Sequence, residues 1–174
     1  MKKLTSLFLF LIFSGCSVNP VTGQKDFVMM SENQEISLGK KYHAQVLQQT
    51  PSYKDQELQD YVQGIGDSLS IKSHRPNLFY RFTVLDSPEI NAFALPGGYI
   101  YINRGLMAYL SSEEELAAVL GHEIGHVTAR HSVRQYSQSQ LMGILSAAVQ
   151  MNSGRTAGDI ANVASGALLA GYGR

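Results

Sequence analysis

The chain reads Gly121-His122-Glu123-Ile124-Gly125-His126 past the midpoint of its length, and the other predicted elements are arranged around this stretch. A residue turns about 100° per step on an α-helix, so His122 and His126 lie about 40° apart on one face, one turn above the other. Two neutral imidazoles in this arrangement can bind one Zn²⁺, with Glu123 beside them as a base for metal-bound water. The alternative is an ordinary pair of packed or surface histidines. The spacing favours the metal site.

The helix that carries this motif has a predictable start. Ser112 is followed three residues later by Glu115, which is the pattern of a capping box, ten residues ahead of His122. A second pattern of the same kind, Ser31 to Gln34, predicts another helix that ends before Pro51. Both predictions rest on local hydrogen bonds that a few neighbouring residues can make by themselves.

Two apolar stripes at helical spacing predict core-facing helices in the first half of the chain. They are formed by Ile36, Gly39, His43, Val46 and Leu47, and by Leu58, Tyr61, Val62, Ile65 and Leu69. No second ligand type stands four residues from His43, so it is predicted to be a packed residue. Residues 131–174 predict a further helical hairpin, which either belongs to the core or covers the site or a membrane surface.

After Pro76 the period of the apolar residues changes from helical to two. Residues 80–85 alternate as a half-buried strand does, and they are followed by a hairpin-like pair, residues 91–95 and 99–102. The glycines of the intervening Pro96-Gly97-Gly98 tolerate the positive φ that a tight turn needs. The sequence therefore predicts a mostly helical α+β domain with a small antiparallel sheet over the His-bearing helix.

Residues 1–15 predict an export signal, because a short basic n-region precedes an apolar run that is too short to span a bilayer. The end of this run, Phe13-Ser14-Gly15-Cys16, resembles a bacterial lipobox, in which the cysteine is lipidated. Two interpretations stay open: a lipid anchor at Cys16, or an ordinary secretory signal with an incidental cysteine. If Cys16 is lipidated, Ser17 after it favours the bacterial outer membrane, with the protein facing the periplasm.

The length and the charge of the chain limit the class of protein to which it can belong. A chain of 174 residues is long enough for one domain with a real core, which we place at residues 31–174. Its 14 basic and 14 acidic side chains balance, so the charge gives no reason to expect a nucleic-acid partner. Residues 16–30 contain Asn19-Pro20 and Thr22-Gly23 and show no periodicity. They predict a lipid-anchored tether and leading segment without regular structure.

Several motifs together closely resemble the M48 family of zinc metallopeptidases. They are the run from Asn91 to Leu106, then Glu114-Glu115-Leu116-Ala117, His122-Glu123-Ile124-Gly125-His126-Val127 and Arg130-His131. Bacterial lipoprotein members related to the mitochondrial protease Oma1 are most similar, since Asn19-Pro20-Val21-Thr22-Gly23 also fits their mature start. The resemblance implies a zincin-like domain. It also implies an endopeptidase that hydrolyses peptide bonds of cell-envelope proteins, in the quality control of outer-membrane proteins.

The resemblance assigns roles to single residues. It makes His122 and His126 zinc ligands and Glu123 the general base. It also implies that an extended substrate pairs by its main chain with an edge strand, either the one around Asn91 to Leu95 or the one from Tyr99 to Ile102. The substrate-binding residues predicted on the first of these are Asn91, Ala92, Phe93 and Ala94. Plain sheet packing is an equally open interpretation of that strand. His131 would point about 140° away from His126 on a continuous helix, so we expect it not to reach the same metal.

One feature of the family is missing from the sequence. Members carry a third zinc ligand, a Glu on a later helix, whereas Glu123 is the last glutamate here and Asp159 is the last acidic side chain. The resemblance therefore predicts a chain cut short of its third ligand, and Asp159 is predicted to be a helix N-cap rather than a substitute ligand. Two functions stay open: a zinc metalloendopeptidase, or a truncated, catalytically impaired lipoprotein that binds misfolded envelope proteins in a chaperone-like way.

Overall fold

The computed structural model of the protein describes residues 16–153. Its elements in chain order are β1 (Cys16–Val18), β2 (Lys25–Phe27), α1 (Glu32–Gln49), α2 (Gln56–Ser70), β3 (Arg81–Leu85), β4 (Ala92–Ala94), β5 (Tyr99–Asn103), α3 (Arg104–Met107), α4 (Glu113–Thr128) and α5 (His131–Ser153). No helix within the described range combines the length and the apolar character needed to cross a bilayer. The predicted export signal at 1–15 and the predicted N-cap Asp159 lie outside the described residues.

Side-chain caps begin the helices where the sequence predicts them. At α1 the Ser31 hydroxyl accepts a hydrogen bond from the Gln34 amide, and the Gln34 side chain accepts one from the Ser31 amide. At α4 the Ser112 hydroxyl accepts from the Glu115 amide, while the Glu115 carboxylate accepts from the amide of Ser111. Both caps satisfy amides that the first turn of a helix leaves without partners, which confirms the two predicted helix starts.

The sheet confirms the α+β class but corrects the strand directions. Its order is β3-β5-β4, with β5 in the centre. β4 and β5 form the expected antiparallel hairpin, and Gly97 and Gly98 in its turn have φ angles of 75° and 91°. β3 runs parallel to β5, so the sheet is mixed and the prediction of an antiparallel sheet is wrong for this pair. The cause is the connection at 86–91, which carries the chain across to the far edge.

β3 is buried on both of its faces, which corrects the prediction of a half-buried strand. Of its five residues only Arg81 is exposed. Phe82 and Val84 pack with α2 and α4 in the main core, and Leu85 packs on the other face with Tyr101 and side chains of α1. Helices therefore cover both faces of the sheet, and α4 packs against the face that carries Phe82 and Val84.

Residues 16–27 form a hairpin in a segment that the sequence predicted to be irregular. β1 and β2 pair antiparallel, and the Asn19 side-chain oxygen accepts from the amides of Val21 and Thr22 in the turn. The Asn19 amide group donates to Ala129 O at the end of α4, over 3.3 Å, and to Asp26. Asparagine thus supplies the turn geometry that periodicity does not reveal. The role of this segment as a tether stays a prediction.

Candidate functional site

Helix α4 has one buried face and one open face. Leu116, Leu120 and Ile124 pack into the main core with β5, and Leu120 is fully buried. His122 and Gly125 are exposed on the other side of the helix. Because the apolar face fixes the rotation of the helix, the two histidines of the central motif are presented at the surface.

The imidazoles of His122 and His126 converge as the spacing predicts. Their Nε2 atoms lie 3.0 Å apart, and the ring centroids are 4.7 Å apart. Two nitrogens bound to one tetrahedral zinc at 2.0–2.1 Å would be separated by about 3.3 Å, so only a small adjustment is needed. Burial lowers the pKa of His126, and nearby His131 and His122 lower it further. The ring is therefore held in the neutral state that binds metals.

Glu123 lies between these histidines in the sequence, but its side chain is more buried than either of theirs. Its side chain is buried at the wall of a cavity that His122 also lines. Burial raises the pKa of the Glu123 carboxyl, and the neighbouring His122 offsets part of that rise. A carboxylate with a raised pKa is a stronger base near neutral pH, which suits it to take a proton from water.

His131 lies beside His126, which corrects the geometry expected from a continuous helix. α4 ends at Thr128, Arg130 adopts a φ of 54°, and α5 begins at His131. This break turns the chain, so that His131 Nδ1 lies 2.8 Å from His126 Nδ1. Burial lowers the pKa of His131, and Arg134 lowers it further. The contact uses the His126 nitrogen that faces away from His122.

A cavity of about 470 Å³ opens between α4 and the strands, next to His122 and Glu123. Its other walls come from residues Ile90, Asn91, Ala92, Leu106, Ala118 and Val119, most of which are apolar. Ala118 and Val119 precede His122 by four and three residues, the helical spacing that could have identified them from the sequence. Ile90 and Leu106 come from loops and a short helix, and no local pattern indicates them.

The outer edge of β4 carries main-chain groups that β5 does not use. The Asn103 amide donates to Asn91 O and the Leu95 amide to Tyr99 O, so residues 91 and 95 face β5. By the alternation of an antiparallel pair, the main-chain groups of Ala92 and Ala94 face outward. No other strand within residues 16–153 pairs with this edge, although Ser132 Oγ donates to Ala94 O over 3.5 Å.

The four residues predicted to bind substrate are divided by the structure. Asn91 and Ala92 line the cavity. The Phe93 ring stacks on Tyr101, with centroids 4.8 Å apart, on the sheet face away from the cavity, and Ala94 is buried. Successive side chains of a strand point to opposite faces of the sheet, so this strand cannot direct all four side chains into one cavity. Of Cys16 the structure describes only the backbone position in β1.

The ligand set for a metal is incomplete within the described range. Among residues 16–153, no group of three or more His, Cys, Asp or Glu side chains is arranged to hold an ion. Catalytic zinc normally has three protein ligands and a water. The imidazole pair fits two of these positions by its donor type, its spacing and its exposure.

Comparison with known proteins identifies relatives. Residues 54–172 match the family model described as Peptidase family M48. A beta-barrel assembly-enhancing protease of Yersinia pestis is 32% identical over 126 residues, which are 72% of this chain and 26% of that protein. The protein of that name in Escherichia coli K12 is 33% identical over 111 residues, 64% of this chain and 23% of the relative.

A mitochondrial relative is also similar. The metalloendopeptidase OMA1 of Schizosaccharomyces pombe is 30% identical over 121 residues, which are 67% of this chain and 35% of that protein. The matched segment thus makes up only about a quarter of the two bacterial relatives, at 26% and 23% of their lengths.

Proposed function

Since this chain belongs to peptidase family M48, we propose that it carries the metal-binding helix of a zinc-dependent endopeptidase. The observation that carries this proposal is the pair of imidazoles whose Nε2 atoms lie 3.0 Å apart on an exposed helix face. A buried carboxylate, Glu123, and a cavity of about 470 Å³ adjoin the pair. Donor atoms, a base and room for a substrate are therefore side by side.

His122 and His126 would hold the zinc through Nε2. A zinc ion bound there would act as a Lewis acid that polarises a carbonyl, and it would lower the pKa of bound water to about 7. Glu123 would take the proton of that water on its carboxylate and deliver it to the departing amine. Its raised pKa supports this role, because a stronger base accepts a proton more readily from water.

The substrate would lie as an extended strand along the outer edge of β4. Ala92 and Ala94 direct their main-chain groups toward that edge, which supports pairing by backbone hydrogen bonds. A substrate side chain would enter the neighbouring cavity, whose walls at Ile90, Leu106 and Val119 favour an apolar group. Such recognition depends little on sequence and suits unfolded segments. The groups used would be the side chains of Asn91 and Ala92 at the cavity and the main chain of Ala92 and Ala94, whereas the main-chain groups of Phe93, between them, face β5.

The substrates would be proteins of the bacterial cell envelope. Two relatives are named as beta-barrel assembly-enhancing proteases, which supports a role in quality control of outer-membrane proteins. Lipidation at Cys16 would anchor the protein to the outer membrane on its periplasmic side. The sequence before Cys16 supports export and lipidation, and Ser17 after it supports the outer membrane. The balanced charge gives no support for a nucleic-acid partner.

A Glu123→Gln variant tests the proposed chemistry. Unfolded casein is incubated with the full chain and Zn²⁺, and cleavage should fall by about 10²–10⁴-fold, because the amide of glutamine cannot accept the proton. Glu114→Gln, at an exposed position on the same helix, is the matched control and should cleave like the wild type. Stoichiometric zinc binding should be lost in His126→Ala.

A second candidate function is a binding protein for misfolded envelope proteins that cleaves nothing. The outward main chain of β4 and the two-ligand set of residues 16–153 support it. In that case Glu123→Gln and the wild type would bind unfolded casein equally well without zinc, and neither would cut it. Cleavage that depends on zinc and Glu123 would contradict this candidate.

A further inference from the structure

His131 is the titratable side chain nearest the imidazole pair that the proposed chemistry does not use. Its Nδ1 lies 2.8 Å from His126 Nδ1, and the ring centroids are 4.9 Å apart at an interplanar angle of 72°. The ring therefore meets His126 edge-on at one nitrogen. Such a short contact requires one Nδ1 to carry a proton and the other to offer a lone pair.

The break between α4 and α5 places His131 there, and buried contacts hold the break. Arg130 has the left-handed backbone conformation that few residues other than glycine adopt. Arg130 Nε donates to Glu35 Oε2 over 2.9 Å, and Nη2 donates to Met30 O over 3.0 Å. The Glu35 side chain is only 1% exposed. The position of His131 is thus fixed by the interior of the protein.

The two nitrogens of His126 have separate neighbours. Nε2 lies against Nε2 of His122, and Nδ1 lies against His131. The two nitrogens of an imidazole point to opposite sides of the ring, so they cannot bind the same ion. His131 therefore meets His126 on the side away from the ion that the pair would hold.

We propose that His131 is a positioning residue that accepts a hydrogen bond from His126 Nδ1 and thereby keeps the Nε2 lone pair of His126 directed at the metal. This inference rests on the proposed function. A neutral imidazole carries one ring proton, so a proton held at Nδ1 leaves Nε2 free to bind. Partners of this kind orient metal-bound histidines, and their loss typically weakens metal binding by about 10–100-fold.

Two substitutions of similar size separate the hydrogen bond from mere packing. In His131→Asn the side-chain oxygen occupies the place of Nδ1 and can still accept, whereas in His131→Gln the oxygen lies near the place of Nε2. Zinc affinity of the full chain is measured by competition with a chromophoric chelator. We expect His131→Asn to stay within about threefold of the wild type and His131→Gln to bind about tenfold more weakly.

The tautomer of His126 gives a second measurement that needs no variant. In the metal-free full chain at alkaline pH, the ¹⁵N chemical shifts of His126 should show the proton on Nδ1, and those of His131 should show it on Nε2. A proton on Nε2 of His126 would overturn the inference. Equal zinc affinity in the wild type and both variants, or equal weakening in both variants, would also overturn it.

The failure of the proposed function looks different. If zinc does not bind the wild type, or binds a His122→Ala variant as tightly, the metal site itself is absent and the inference falls with it. If the wild type binds zinc through His122 and the His131 variants behave alike, only the role of His131 is wrong.

Discussion

Charged or titratable side chains lie both around the C-terminal end of α4 and on its open face, but the first group is buried and the second is open to solvent. At the end lies a buried ion cluster of Glu35, Arg75 and Arg130, whose side chains are 1%, 7% and 12% exposed. On the open face His122 is exposed and His126 is half-buried. Every buried side-chain nitrogen or oxygen among the described residues has a partner. A satisfied set stabilises the fold, whereas a set with exposed lone pairs can bind a ligand.

Glu35 is the centre of the ion cluster. Its carboxylate accepts from Arg75 Nη1 over 2.8 Å, from Arg130 Nε over 2.9 Å and from the Gly97 amide over 3.3 Å. Arg75 Nη1 also donates to Val127 O in the last turn of α4, over 3.3 Å. The cluster thus ties α1, the hairpin turn and the end of α4 together.

The largest expected effect comes from neutralising this centre. Glu35→Gln keeps the shape but leaves two largely buried guanidinium groups without their shared anion, so the free energy of unfolding should fall by about 3–5 kcal/mol. Most domains of this size have only about 5–15 kcal/mol in total. Urea denaturation followed by circular dichroism measures the change.

The matched control is Glu32→Gln. Glu32 also pairs with Arg75, over 2.9 Å, but its side chain is 65% exposed. Exposed ion pairs contribute about 0–1 kcal/mol, so this variant should be nearly as stable as the wild type. Equal losses in the two variants would contradict the distinction between the cluster and the surface.

A second variant disturbs the contact between α1 and the hairpin turn. Gly39 packs against the carbonyl of Pro96, and a methyl group there would overlap the Pro96 oxygen. Gly39→Ala should therefore push α1 away from the turn and reduce the free energy of unfolding by about 1–3 kcal/mol or more. Gly64→Ala in α2 meets nothing within 4 Å and should instead be neutral or stabilising. The same denaturation assay compares them, and a loss of stability in both would refute the steric explanation.

The contrast also explains which features the sequence predicted. The helix caps at Ser31 and Ser112, the turn at Pro96–Gly98 and the imidazole pair all depend on residues within a few positions of each other. Backbone sterics and hydrogen bonds settle such features locally. For that reason their spacing in the sequence was sufficient, and the α+β class followed from them.

Features that join distant residues could not be predicted in the same way. The parallel pairing of β3 with β5 depends on how the chain crosses the sheet, and the alternation of apolar and polar residues does not indicate the direction of a strand. The break at Arg130 depends on Glu35, 95 positions earlier, so the residues around it still read as one helix. The neighbour of His126 was missed for this reason, since a continuous helix would have carried His131 away.

The open face of α4 should respond in the opposite direction from the buried cluster. Gly121 is exposed in the middle of the helix, and a methyl group there would meet nothing within 4 Å. Glycine costs a helix about 1 kcal/mol relative to alanine, so Gly121→Ala should raise the free energy of unfolding by roughly that amount. Thermal unfolding measures the gain, and zinc affinity should not change. A loss of stability would show that this face is already packed against another part of the protein.

The smallest expected effect tests a histidine that is packed rather than open. His43 Nδ1 lies 2.7 Å from the Tyr101 hydroxyl, which donates to it when Nδ1 carries the lone pair, and the ring stacks on Tyr99. Burial lowers the pKa of His43, and the charge of Arg81 lowers it further. Protonation is thus easier in the unfolded chain, where the pKa is about 6.5. Stability from this group is complete above that pH and declines as the pH falls through it, down to the lowered pKa of the folded state.

In His43→Asn the side-chain oxygen can still accept from Tyr101 but cannot be protonated, so its stability should decline less between neutral and mildly acidic pH. Urea denaturation at several pH values measures both slopes. Other histidines with lowered pKa, His126 and His131, titrate in both proteins and cancel in the difference. If the slopes are the same, His43 is protonated as easily in the folded protein as in the unfolded chain. Packing against Tyr99 and Tyr101 would then not disfavour the charged ring, and the interpretation of His43 as a packed histidine would fail.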